Sequence, residues 1–134
     1  MIMRVEIVDQ DEQLYRQVHP SLLDGEVPAS SNFLPKASDN NLLSVDRSSI
    51  TTPKEASDLY KVNGGQSASV FGLTVSEFRE ETIVCLEDAI LATAIAKENL
   101  AHAVADFSQH GKSQQKKIAK RLKHKAIARG RLHP

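Results

Sequence analysis

Between Lys112 and Arg131 the chain carries nine lysines and arginines and not one acid. With 17 basic and 17 acidic residues in all, residues 1–111 hold eight basic side chains against all 17 acidic ones, a formal balance of −9. A chain that is neutral overall is thus an acidic body joined to a basic end. Its fold must either bring the two together or present the basic segment to a polyanion. The segment reads KSQQKKIAKRLKHKAIARGR. Ile118, Ala119, Leu122 and Ala126 recur at three-four spacing, which predicts a helix over 113–129, capped by Ser113 and ended by Gly130. No aromatic residue follows Phe107, so this helix has no base-stacking surface of its own.

Local signals in the body are sharper. Thr52-Pro53-Lys54-Glu55 reads as a capping box with proline at the first helical position, and Asn63-Gly64-Gly65 closes what it opens, giving a helix over 53–62. Thr74-x-x-Glu77 is a second such box, opening a short helix through Arg79. Gln13–Val18 alternates as a strand, with Leu14, Arg16 and Val18 on one face and Tyr15 and Gln17 on the other. Leu42–Asp46, Ser67–Leu73, Thr82–Leu86 and residues 100–106 also read as strands. Residues 88–97 read as irregular or partly helical, and Met1–Val8 as a short edge strand or a frayed end. Between His19 and Pro53 lie four of the five prolines. Phe33, Leu34, Leu42, Leu43 and Val45 punctuate this stretch, more apolar anchors than a disordered linker carries, so it reads as a long ordered loop pinned to the core. The expected architecture is a single α+β domain: a small mixed or antiparallel sheet, a packed helix, and a basic C-terminal helix. Residues 1–111 form the acidic body, and 112–134 belong to the same domain.

Several classes of function fall away. One cysteine, Cys85, excludes an internal disulfide and any Cys-based zinc site within one chain, and its apolar setting reads as inert core. No apolar run approaches the roughly 18 residues of a membrane span, and the acidic N-terminus lacks the pattern of a secretory signal, so a cytoplasmic setting is expected. His19, His102, His110, His124 and His133 show no metal spacing, and no cofactor motif is present. Gly111-Lys112-Ser113 invites a phosphate-loop reading, but Asp106 stands where the motif needs its first glycine. Gly111 then serves the turn before the basic helix.

What remains is a polar set of Arg16, His19, Ser44, Asp46, Arg47 and His102. Arg16-x-Val18-His19-Pro20, Phe33-x-Pro35, Leu43-Ser44-Val45-Asp46-Arg47 and Ala101-His102-Ala103 together resemble a group of small bacterial proteins of unassigned function. Leu14-Tyr15-Arg16 followed by Ser30-Ser31 is similar to the early strand motifs of ADP-ribosyltransferase-like folds, with Glu98 standing nearest to their late glutamate. That similarity would imply chemistry on NAD. The leading expectation is a non-enzymatic bacterial binding or accessory protein, whose basic helix engages a protein partner through Lys116, Lys117, Lys120, Arg121, Lys123 and Lys125. Nucleic-acid contact through residues 112–131 is a second possibility for the same surface. The alternative of another class is a small enzyme using Arg16, His19, Asp46 and His102 on a nucleotide-like ligand, which requires the side chains of Arg16, Asp46 and His102 to meet in one pocket.

Overall fold

The computed structural model describes residues 4–134. Seven strands and three α-helices follow in chain order: β1 (Gln13–Val18), β2 (Leu23–Asp24), β3 (Val27–Pro28), β4 (Leu42–Arg47), α1 (Pro53–Val62), β5 (Ser69–Thr74), α2 (Val75–Arg79), β6 (Val84–Glu87), β7 (His102–Asp106) and α3 (Lys112–Arg129). Five strands form one sheet in the order β5-β1-β4-β7-β6, every neighbouring pair antiparallel. β2 and β3 make a separate small hairpin inside the long proline-rich segment. The fold is α+β, as the sequence predicts, and the sheet is antiparallel throughout.

The two faces of this sheet are covered differently. Leu14, Val18, Leu43, Val45, Phe71, Leu73, Cys85, Ala103 and Ala105 point to one face, where they meet Ile118, Ala119, Leu122 and Ala126 of α3. Phe33, Phe78 and Phe107 fill the same core and are fully buried, which is how so few aromatic residues suffice. Phe33 is the pin that orders the loop between His19 and Pro53, since the short 3₁₀ turn Ser30–Phe33 packs on α3. The opposite face is thin: Tyr15, Ala56 and Val70 form a small cluster, with Leu132 against it. One side of the sheet is therefore a dry core, and the other is only partly filled by α1.

The basic end docks on the acidic body. Arg121 makes a bidentate pair with Glu81 (Nε–Oε2 3.0 Å, Nη2–Oε1 2.7 Å), Lys125 pairs with Glu80 at 3.0 Å, and Arg129 pairs with Glu77 at 2.8 Å. The Arg121 guanidinium holds the Glu81 carboxyl below the usual carboxylate range. Arg121 and Lys125, expected to face a partner, are thus engaged within the chain.

Several boundaries differ from expectation for identifiable reasons. α3 begins at Lys112 with Gly111 as its N-cap and no side-chain cap, so Ser113 lies inside the helix. Thr82 adopts φ +58° in the turn after α2, where its N–H donates to Arg79 O, and this delays β6 to Val84. Thr52 caps α1 by accepting from Glu55 N, while its hydroxyl donates to the Glu55 carboxylate; at Thr74 the reciprocal capping box is complete. Residues 88–101 contain no helix, and their two ends meet in an isolated bridge, Ile90↔Asn99. At the N-terminus, residues 1–3 lie outside the described residues. Val5 and Ile7 pair with β6 through Glu87 N to Val5 O (2.7 Å) and Ile7 N to Cys85 O (2.9 Å), the edge-strand alternative.

Candidate functional site

The thin face carries a cleft. A cavity of about 300 Å³ lies between the sheet, α1 and the 88–101 loop. Tyr15, Ser44, Asp46 and His102 line it from the sheet, Leu59, Tyr60 and Asn63 from α1, and Ile90, Ala96, Lys97 and Asn99 from the loop. The loop is tied to the end of α1 by a two-way bond: Asn63 Nδ2 donates to Lys97 O (3.1 Å) and Lys97 N donates to Asn63 Oδ1 (2.9 Å). Asn63, read in the sequence as a helix stop, is also the latch of this wall.

Arg16, Asp46 and His102 all line this cavity. Asp46 and His102 face each other directly across the β4–β7 ladder, a placement that sets their Cβ atoms about 5 Å apart. His102 Nδ1 lies 3.0 Å from Asp88 O and 3.1 Å from Asp88 Oδ2. Two acceptors at one ring nitrogen require that nitrogen to carry a proton, so in the neutral ring the lone pair is on Nε2. Asp88 is steadied from its other oxygen by Arg4 Nε at 2.9 Å. Asp46 is buried and accepts from Asn99 Nδ2 at 2.8 Å. Burial pushes its carboxyl above the ordinary aspartate value, against the opposing pull of Asn99, His102 and Arg16. An imidazole nitrogen thus stands beside a carboxyl group whose protonated form is favoured by burial, a pairing that can move a proton on and off a ligand.

The raised Asp46 value has a consequence for stability. Such a group favours the folded state while protonated, and that contribution is lost as pH rises through the folded value. Asp46→Asn keeps an acceptor for Asn99 and removes the buried charge. It is expected to stabilise the protein by about 0.5–2 kcal/mol at pH 7, the scale of other site-relieving substitutions. Urea titrations across pH should show this gain disappearing below the ordinary carboxylate range.

Arg16 reaches the cleft because β1 and β4 pair only at Leu14↔Arg47 and Tyr15↔Asp46. Beyond that point its Nη1 donates to Ser44 O (3.0 Å) and its Nε to Asn32 O (2.8 Å). Burial lowers its pKa from the ordinary guanidinium value, though a guanidinium stays charged in proteins. A second cavity of about 330 Å³ shares Arg16, Gln17 and Tyr60 with the first and adds His19, Ser21, Leu22, Asn32 and Lys36. His19 is exposed, and its Nδ1 accepts from Ser21 N at 3.0 Å, so its Nε2 is the ring's remaining nitrogen. The four candidates Arg16, His19, Asp46 and His102 thus line two adjoining cavities, with Arg16 common to both.

Other singled-out residues lie elsewhere. Arg47, itself half-buried, is ion-paired with the buried Glu12. Ser30 and Ser31 sit on the 3₁₀ turn and line a separate cavity with Lys116 and Lys120; Glu98 is exposed in the 88–101 loop. Cys85 is buried, and burial pushes its thiol up to about 12, so it is no nucleophile. Among the described residues no group of three or more His, Cys, Asp or Glu is placed to hold a metal ion, and no helix is long and apolar enough to cross a membrane. Asp88, Asn99, Gln17, Asn32 and Tyr60 were not singled out from the sequence. Two of them had a signal: Gln17 its place beside Tyr15 on the strand face away from Leu14, and Tyr60 its place with Ala56 and Leu59 on the apolar stripe of the 53–62 helix. Comparison with protein families, curated proteins and solved structures gives no match.

Proposed function

We propose that this protein binds a small molecule in the cleft over the thin sheet face and performs proton transfer on it. His102 Nε2 is the base, oriented by Asp88. Asp46 is the acid, and Arg16 is the fixed positive charge. The observation that carries this reading is the meeting of Arg16, Asp46 and His102 in one cavity, from three strands that are distant in sequence. The mixed lining, with Tyr15, Leu59 and Ile90 beside a few polar groups, suits a small organic ligand. A single buried thiol suits the reducing, cytoplasmic setting expected from the sequence.

The test is a fragment screen by ligand-observed NMR, with hits mapped on the ¹⁵N-labelled protein. Hits are expected to shift the amides of Tyr60, Asn99 and His102, and His102→Ala is expected to weaken them. Hits that map only to α3, or a screen without saturable binding, would overturn the reading.

A second reading, engagement of a protein or nucleic-acid partner by α3, has one observation in its favour. Lys116, Lys117, Lys120 and Lys123 have no carboxylate within ion-pair distance among the described residues, whereas Arg121, Lys125 and Arg129 do. If it holds, the contact surface is this lysine set, and nucleic-acid binding through it would weaken steeply with salt.

A further inference from the structure

The second cavity carries an imbalance that the proton-transfer chemistry does not use. Arg16 has no carboxylate within ion-pair distance among the described residues; Asp39 and Asp46 act on it only from a distance. Its guanidinium uses Nε and one Nη1 hydrogen on backbone carbonyls, and Nη2 is left without a protein partner. Two neighbouring amides are also unsatisfied. Gln17 is 9% exposed; its Oε1 accepts from Ser67 Oγ at 2.6 Å, and its Nε2 has no acceptor. Asn32 is 1% exposed, and its Nδ2 likewise has none. Buried donors without acceptors are uncommon and costly, and a cation without a counter-ion more so. All three residues line one cavity, the two amide nitrogens lying just behind its wall, with Lys36 at the same wall and no carboxylate among its lining residues.

We propose that this second cavity is a receptor for a phosphate group, and that the ligand of the cleft is a small phosphorylated molecule whose body extends past Tyr60 toward Asp46 and His102. The inference rests on the cleft reading above for the placement of that body. A tetrahedral dianion with three terminal oxygens suits the free Nη edge of Arg16 and the Lys36 ammonium, and a small side-chain movement at Gln17 or Asn32 would bring an amide donor to its third oxygen. A carboxylate offers two coplanar oxygens and leaves more of these donors empty. Arg16 holds the phosphate on one side while its Coulomb field reaches Asp46 on the other, so one residue joins the two halves of the site. No bond is made or broken at the phosphate; its role is to hold the ligand.

The experiment is an NMR titration of the full chain at constant ionic strength, using inorganic phosphate, phenyl phosphate and benzoate. It follows the side-chain signals of Arg16 Nε–H and of the Gln17 and Asn32 amides. Saturable shifts at these three groups are expected with both phosphates, with phenyl phosphate also shifting Asn99 and His102. Arg16→Gln removes the charge but also two bonds to backbone carbonyls, so an unfolded variant would say nothing about the receptor. Lys36→Glu changes an exposed side chain instead and is expected to weaken both phosphates by about tenfold or more. Shifts spread over the α3 lysines and insensitive to Lys36→Glu would overturn the receptor. Equal binding by benzoate would overturn its assignment to phosphate. If neutral fragments reach His102 while phosphate fails, the receptor falls alone. If phosphate shifts Arg16, Gln17 and Asn32 while no probe reaches His102, the placement of the ligand body falls and the receptor stands.

Discussion

Arg47→Ala is expected to destabilise the protein by about 3–5 kcal/mol, the range for breaking a buried ion pair at one partner. Glu12 is 6% exposed, and Arg47 grips both of its oxygens, Nε to Oε2 at 3.0 Å and Nη2 to Oε1 at 2.8 Å. Ser49 adds a hydroxyl donor at 2.7 Å and its N–H at 3.2 Å. Arg47 also reaches Glu87 at 2.7 Å, so a single guanidinium links the start of β1, the end of β4 and the end of β6. Removing it strands a carboxylate that burial alone would push toward protonation. In the native protein burial does raise the Glu12 value, but the bonds from Arg47 and Ser49 outweigh it and leave the carboxyl below its ordinary value. That lowered value contributes stability at neutral pH which is lost as pH falls through the folded value. In the variant the Arg47 bonds and charge no longer favour the ionised carboxyl, so the loss is greatest where Glu12 is ionised. Urea denaturation of both proteins should therefore show a gap that is widest at pH 7 and narrows toward about pH 4. A gap independent of pH would show that Arg47 acts through packing alone.

Leu122→Ala is expected to cost about 2–5 kcal/mol, the usual range for a buried leucine whose cavity is not refilled. Leu122 is fully buried in the main core with Ile118, Ala119 and Ala126, so α3 is a wall of the domain and not an appendage. Lys117→Ala, on the exposed side of the same helix, should change stability by less than about 0.5 kcal/mol. Comparing the two by thermal or urea unfolding separates what α3 does for the fold from what its lysines do for a partner. Similar losses at the two positions would show that the lysine side is also structural.

The elements most legible in the sequence were those fixed by neighbouring residues. α1 spans Pro53–Val62 because Thr52, Pro53 and the Asn63-Gly64 stop act within a turn of where they stand, and β1 matches Gln13–Val18 because an acidic turn precedes it and Pro20 follows closely. Boundaries failed where a longer-range constraint ruled. Thr82 belongs by composition to a β-branched run, yet the hydrogen bonds that end α2 hold it in a left-handed turn. The site was half legible. Arg16, Asp46 and His102 stood out as polar residues on apolar strands, a conflict that local patterning can expose. Asp88, Asn99, Asn32 and Lys36 sit in irregular segments, where no period constrains what a side chain faces. Their roles follow from the path of the loops, which the pattern of residue types does not encode.

The strand order β5-β1-β4-β7-β6 also bears on the sequence of events in folding. β1 is formed first in the chain, but its partners on either side, β4 and β5, come much later, and β4 needs β7, later still. Such non-local pairing slows folding and delays the closure of the sheet. Asp46 and His102 become neighbours only when β7 has docked on β4, and the 88–101 loop is positioned only then. A partly assembled chain therefore has no cleft. Any ligand that recognises both strands binds the completed fold alone, and so draws the population of late intermediates toward it by mass action.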